Sequence, residues 1–307
     1  MINYINRKNG ILLFCLLLFF TFGFAAGQTT SSMTRGAPSR GEAVMKAIAA
    51  AYPGRVGPAE YRNGDWAVSI RGVYYYYADG RLLPESLRSR YAEFASHSFY
   101  NNYPENLPAW RAPTAEEAAR FQERSQNQNQ NANRPRRSPH FFDALWQATN
   151  RDESYERLRT VNFLGQSIRI HHAIVNQLSS VEETIRTASR TNTDVRQWMQ
   201  NIRSITTWNW RNIAGSGNRS FHAYGIAVDI LPRNSNQEMY WQWTSQRNAQ
   251  WWNVPYSRRH HPPAAVIRAF ESYGFVWGGK WTYYDTIHFE YRPEVFILNN
   301  IPLRSSR

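Results

Sequence analysis

Apolar and polar positions change period along this chain, and the changes outline its elements. An unbroken apolar run, Ile11 to Phe22, follows Arg7 and Lys8 and is too short to span a bilayer comfortably. Small residues from Gly23 to Gly27 come next, so residues 1–27 read as a secretory leader cleaved after Gly27, with an uncleaved anchor as the alternative. Residues 28–40 are polar and expected to be disordered. Ala43, Val44, Ala47 and Ile48 then recur at helical spacing over Glu42 to Ala51, and Pro53-Gly54 ends the helix. Trp66 to Ile70 and Val73 to Tyr77 read as two strands around Arg71-Gly72, with a turn at Asp79-Gly80. Alternate tyrosines from Tyr74 to Tyr77 would pack on both faces of that small sheet, with a ligand-stacking face as the alternative. Helices are expected over Glu85 to Phe94 and Thr114 to Arg124, the second opened by a capping box of Thr114 and Glu117.

The stretch 125–139 is polar and rich in Asn and Gln, and reads as a linker. Beyond it, helical patterns run from Phe141 to Arg159, within Arg169 to Ser189, and from Thr193 to Ile202. Thr206 to Arg211 alternates like a strand and leads into a loop, Asn212 to Arg219. Ile226 to Leu231 reads as a short buried strand. Glu238 to Trp252 is aromatic-rich, a helix or a wall beside a cleft. Pro262 to Tyr273 is a helix, with proline near its start and Gly274 after its end. The domain reading is therefore an N-terminal region over 41–124, a linker over 125–139, and a larger domain over 140–307.

Composition narrows the classes. The chain has 307 residues, a formal net charge of +13, 12 tryptophans and 18 tyrosines. Positive charge in an exported protein suits an anionic envelope surface, and the leader argues against nucleic acid. Cys15, the single cysteine, lies inside the apolar run, so after cleavage no disulfide is possible and no stable membrane span remains. Any metal must then be held by His, Asp or Glu.

Two stretches offer such ligands. In RSFHAYGIAVDI, His222 stands seven residues before Asp229, with Gly225 between them to let the chain bend. Near the C-terminus, His288 follows Asp285 by three residues. Two imidazoles, one carboxylate and an open position make a catalytic zinc pattern, and a further carboxylate could take a proton from water. His171 and His172 are adjacent and read as structural; His260 and His261 fall at no known metal spacing.

Ser220, His222, Gly225, Ala227 and Asp229, followed by Asp285 and His288, resemble the signature of the M15 family of zinc peptidases, S-x-H-x-x-G-x-A-x-D with a downstream D/E-x-x-H. That family comprises D-alanyl-D-alanine carboxypeptidases and L-alanyl-D-glutamate endopeptidases. The lead-in GFVWGGKW (Gly274 to Trp281) and the following HFE are similar to it as well, so the resemblance covers roughly residues 150–302. It implies an α+β fold in which a small antiparallel sheet carries the ligands and helices pack on it, preceded here by a smaller α+β N-terminal region.

The resemblance also implies roles. His222, Asp229 and His288 would hold Zn2+, Asp285 would act as general base, and Arg211 would stabilise the oxyanion. Ser220 would either bind substrate or tie down the loop, and Glu290, two positions after His288, would support that ligand. The implied substrate is the peptide stem of peptidoglycan, in the periplasm or envelope of a bacterium. Two other classes stay open: a zinc-containing wall-binding or adhesion protein without catalysis, against which the intact Asp285 argues, and an envelope scaffold acting through residues 40–120.

Overall fold

The computed structural model describes residues 39–99, 102–126, 134–214 and 216–306. The leader, Cys15, nearly all of the expected disordered stretch and the middle of the expected linker lie outside the described residues. No helix among those described is long and apolar enough to cross a membrane.

The N-terminal region starts with α1 (Arg40–Ala51), capped by Ser39, whose side chain accepts from Glu42 N–H at 3.2 Å. A four-stranded antiparallel sheet follows in sequence order: β1 (Glu60–Arg62), β2 (Asp65–Ile70), β3 (Val73–Tyr76) and β4 (Leu83–Pro84). The β2–β3 turn places Arg71 and Gly72 at φ 51° and 81°, the double positive φ of a tight hairpin. Tyr75 and Tyr76 are buried, and Tyr74 lies under the Arg62 guanidinium at 3.5 Å, so these tyrosines pack the sheet. Residues 85–93 form 3-10 turns broken at Arg90 in place of the expected helix. A short parallel pair joins β5 (Phe94–Ala95) to β6 (Arg136–Arg137) across α2 (Ala115–Gln126). The capping box of α2 is formed: Thr114 N–H donates to Glu117 Oε2 at 2.9 Å, and Glu117 N–H to Thr114 Oγ1 at 3.2 Å.

After β6 the expected long helix is two short ones, α3 (His140–Trp146) and α4 (Arg151–Glu156). Gln147 turns left-handed at φ 54°, and Asn150 caps the second helix through its side chain. Next comes an unexpected antiparallel hairpin, β7 (Leu158–Phe163) and β8 (Gln166–His171). Then follow α5 (Val175–Ser189), α6 (Thr193–Gln200) and β9 (Ile202–Thr206). The last strand sits before the stretch expected to be extended, because Trp208 and Trp210 leave the sheet: Trp208 donates to Ser154 Oγ at 3.0 Å, and Trp210 lies under Arg219.

The remaining elements are β10 (Ala227–Pro232), α7 (Trp241–Ser245), α8 (Ala264–Ser272), β11 (Phe275–Trp277), β12 (His288–Tyr291) and α9 (Pro293–Leu298). Strands β11, β12, β10 and β9 make one four-stranded antiparallel sheet in that order. The fold is thus α+β: this sheet carries the candidate ligand group, with Asp229 on β10, His288 on β12 and His222 on the turn before β10, and a smaller α+β region precedes it.

The core does not divide at residues 125–139. The described residues form one compact unit, and a single apolar cluster joins Val44, Met45 and Ile48 of α1 to Phe289 and Tyr291 of β12. Burying an aliphatic side chain is worth roughly 1.5–3 kcal/mol. Exposing those three would cancel much of the ~5–15 kcal/mol that keeps a domain folded. The composition of 125–139 is silent on what lies to either side of it. The described residues on either side of 125–139 contribute to one apolar cluster.

Candidate metal centre

The centre is built from two adjacent strands and one tight turn. Asp229 on β10 faces His288 on β12 as its direct cross-strand partner. His222 lies on a 3-10 turn, Phe221–Tyr224, which Ser220 caps by accepting His222 N–H at 3.3 Å. Gly225 ends the turn at φ 70°, and a Cβ there would meet Leu158 Cδ2 at 2.6 Å. Its carbonyl accepts His171 N–H at 2.9 Å, tying the turn to β8. Glycine is needed here both for its backbone conformation and for this close approach.

Three donor atoms converge. His222 Nε2 lies 3.1 Å from Asp229 Oδ1 and 3.3 Å from His288 Nδ1, and His288 Nδ1 lies 2.8 Å from Asp229 Oδ1. Tetrahedral zinc with legs of about 2.0–2.1 Å separates neighbouring donors by about 3.3 Å, so the set fits such an ion. The other ring nitrogens are engaged elsewhere. His222 Nδ1–H donates to the Thr207 carbonyl, and His288 Nε2–H donates to Glu290 Oε2 at 3.2 Å. Each imidazole thus turns its lone pair toward the common point, as a metal ligand must. Glu290 occupies the place its two-residue spacing implied.

Charge reinforces this grouping. Burial alone would raise the Asp229 carboxyl, but His222 and His288 hold it well below the usual carboxylate range. Burial would lower His288, yet its hydrogen bonds to the Asp229 and Glu290 carboxylates carry it well above an ordinary histidine. Among the described residues, these three form the group able to hold a metal ion.

Asp285 stands apart from the three. It precedes a turn, Thr286-Ile287, closed by His288 N–H to the Asp285 carbonyl at 3.3 Å. This is the bend that a three-residue offset from a strand ligand requires. The lead-in motif builds the bend: Asp285 N–H donates to the Gly278 carbonyl at 3.0 Å, and Trp277 Nε1–H donates to the Thr286 carbonyl at 2.8 Å. A Cβ on Gly278 would collide with the Asp285 carbonyl. Asp285 Oδ1 is shut off from solvent with no hydrogen-bond partner. Burial pushes this carboxyl up to about 7, against the pull of His288.

Arg211 is exposed beside the isolated bridge between Asn212 and Arg219, and its carbonyl accepts Ser220 N–H at 3.2 Å. Its charge acts on both Asp285 and Tyr240. His171 and His172 stack on each other and hydrogen-bond to backbone carbonyls, outside the centre. His260 and His261 stand outside it too.

Sequence reasoning missed several neighbours. Tyr240 pairs with Asp285 through an isolated bridge, and the Trp281 ring lies 5.5 Å from that of His288. A buried polar chain also leads away from Glu290. Arg292 Nη1 reaches Glu290 Oε1 at 3.4 Å, Arg292 Nε–H donates to Glu294 Oε1, and Tyr52 Oη–H donates to Glu294 Oε2 at 2.7 Å. Only Glu290 of this chain lies on β12; Arg292 caps α9 and Glu294 sits in its first turn. Nothing local pointed to Tyr52.

No curated protein and no solved structure matches the chain. Residues 44–99 match a family described as a domain of unknown function (DUF8518). Residues 214–291, which hold His222, Asp229, Asp285 and His288, match the M15 peptidase family model described as D-alanyl-D-alanine carboxypeptidase, so the C-terminal part of the chain carries a domain of that family.

Proposed function

We propose that this protein is an exported zinc metallopeptidase of a bacterial envelope that hydrolyses an amide bond in peptidoglycan stem peptides. The observation that carries this reading is the convergence of His222 Nε2, Asp229 Oδ1 and His288 Nδ1 beside the unengaged Oδ1 of Asp285. Those three atoms would hold zinc, which when bound would supply Lewis acidity and bring the pKa of water toward about 7. Asp285 takes the proton of the attacking water and delivers it to the leaving amine. Its shielding from solvent suits it to both steps, because a carboxyl raised to about 7 can accept and return a proton near neutrality. Arg211 offsets the negative charge that develops on the carbonyl oxygen. Ser220 fixes His222 by accepting its N–H, and its hydroxyl would donate to the substrate. The leader-like residues 1–27 and the charge of +13 agree with an exported protein that meets an anionic wall.

Purified muropeptides incubated with the zinc-loaded protein, with and without chelator, test this by mass spectrometry. Loss of one terminal alanine names a D,D-carboxypeptidase, and a cut after the first stem residue names an endopeptidase. No chelator-sensitive mass change would overturn the reading in favour of a wall-binding protein without catalysis.

A further inference from the structure

Beside the metal centre lies a cavity of about 780 Å³ between α2 and the loop that precedes Asp285. Trp281 borders both: it lines the cavity, and its ring lies 5.5 Å from that of His288. Helix α2 contributes Arg120, Phe121 and Arg124, which share one face at helical spacing. Phe121 anchors the helix by packing on Trp251, Trp252 and Tyr283, and Ser125 accepts Trp251 Nε1–H at 3.0 Å. The arginines are thereby held at the rim.

The charges in this cavity are unevenly matched. Glu117 is taken by Arg111 through two bonds of 2.7 Å, and Lys280 by Glu271 at 2.6 Å. Glu123, 3.9 Å from Arg134, is the carboxylate left to face Arg120, Arg124 and Arg134. Arg124 lies over the Tyr283 ring at 4.3 Å, and all three guanidinium charges bear on the Tyr283 hydroxyl. Arginine forks on an aromatic floor suit a planar carboxylate.

We propose that this cavity is a subsite gripping a free carboxylate of the same peptide whose amide bond is presented to the metal centre. The proposal rests on the peptidase reading, because the shared Trp281 makes one molecule span both places. Helix α2 lies outside both family-matched segments, so the subsite would distinguish this chain within its family.

Two synthetic stem pentapeptides ending in D-alanyl-D-alanine provide the test, one with its internal carboxyls free and one with them amidated. Binding is measured by calorimetry on metal-stripped protein, and turnover separately on zinc-loaded protein. The free-carboxyl peptide is expected to bind about tenfold tighter, with the difference lost in the double variant Arg120→Gln/Arg124→Gln. Both positions are exposed, so folding should be kept, which circular dichroism checks. The same variant should raise KM for the free-carboxyl peptide and leave kcat in place. Equal binding of both peptides by the wild type, or a preference that survives in the double variant, would overturn the subsite. A wild type that cleaves both peptides without preference overturns the subsite and keeps the peptidase. One that prefers the free carboxyls yet cleaves neither overturns the peptidase and keeps the subsite.

Discussion

Asp229 and His288 are direct cross-strand partners on β10 and β12, and their side chains meet at 2.8 Å. Strand register, not loop geometry, therefore places two of the three candidate ligands. A slip by one residue would turn one of them to the opposite face of the sheet. Asp285 owes its place to the turn that follows it, where its carbonyl accepts His288 N–H at 3.3 Å, while its Oδ1 has no hydrogen-bond partner.

That difference yields a test of the proposed roles of Asp229 as ligand and Asp285 as base. Asp229→Ala should weaken zinc binding, because it removes one of three donors. Asp285→Ala should keep one zinc per chain and lower turnover by at least the roughly 10²–10⁴-fold usual for a general base. Elemental analysis and muropeptide release measure the two effects. The assignment fails if Asp285→Ala loses its metal while Asp229→Ala keeps it.

The centre was legible because its residues recur at fixed spacings within two short segments. His222 and Asp229 flank a glycine that must be left-handed, and His288 follows Asp285 by the length of one turn. The hairpin of β7 and β8 was not legible. Its turn uses Leu164 at φ 50° before Gly165, and leucine is no turn signal. Its outward positions carry Arg159, Thr160 and Asn162 beside the half-buried Val161, which blurs the alternation. The common core was hidden for another reason: Tyr52 and Glu294 are 242 residues apart, and no local period encodes such a contact.

The joined core predicts how the chain responds to proteolysis. Cleavage between Ser125 and Pro139 should leave two fragments that stay associated and co-elute in size-exclusion chromatography. Residues 141–307 expressed alone should aggregate or bind ANS, because the surface covered by α1 is exposed. A monomeric, cooperatively folded fragment would contradict the shared core.

Acid should destabilise the fold through His171. Its Nε2–H donates to the Trp146 carbonyl at 3.0 Å, and its Nδ1 accepts Ala173 N–H at 3.1 Å, which fixes the neutral ring. Burial lowers its pKa to about 3, whereas an unfolded histidine titrates near ~6.5. Between those values the unfolded chain takes up a proton that the folded chain refuses. Stability is therefore full above about pH 6.5 and declines as pH falls toward 3. Urea midpoints between about pH 7 and 4 should fall, and fall less in His171→Asn, which has no titrating ring. Parallel declines in the two proteins would remove His171 from the account.

The final prediction concerns the buried chain from His288 to Tyr52. Glu290 orients His288 by accepting its Nε2–H, Arg292 bridges Glu290 to Glu294, and Tyr52 supplies the last donor. Glu294 and Arg292 are each 1% exposed, so no water can replace a missing partner. Removing the Tyr52 hydroxyl leaves Glu294 Oε2 without its donor, which costs about 1–3 kcal/mol of stability for a buried polar group. Arg292 is then drawn toward Glu294 and loosens its hold on Glu290. Supporting carboxylates of this kind typically change metal affinity 10–100-fold when removed. Glu290→Gln should therefore show the largest loss of zinc affinity, Tyr52→Phe a smaller one of a few-fold to about tenfold, and Tyr61→Phe none. Tyr61 is 64% exposed on the same N-terminal region and serves as the control. Competition against a chromogenic chelator reads these affinities without turnover. If Tyr52→Phe lowers the melting temperature but binds zinc like the wild type, Tyr52 is a packing residue, and the N-terminal region supports the fold without tuning the metal centre.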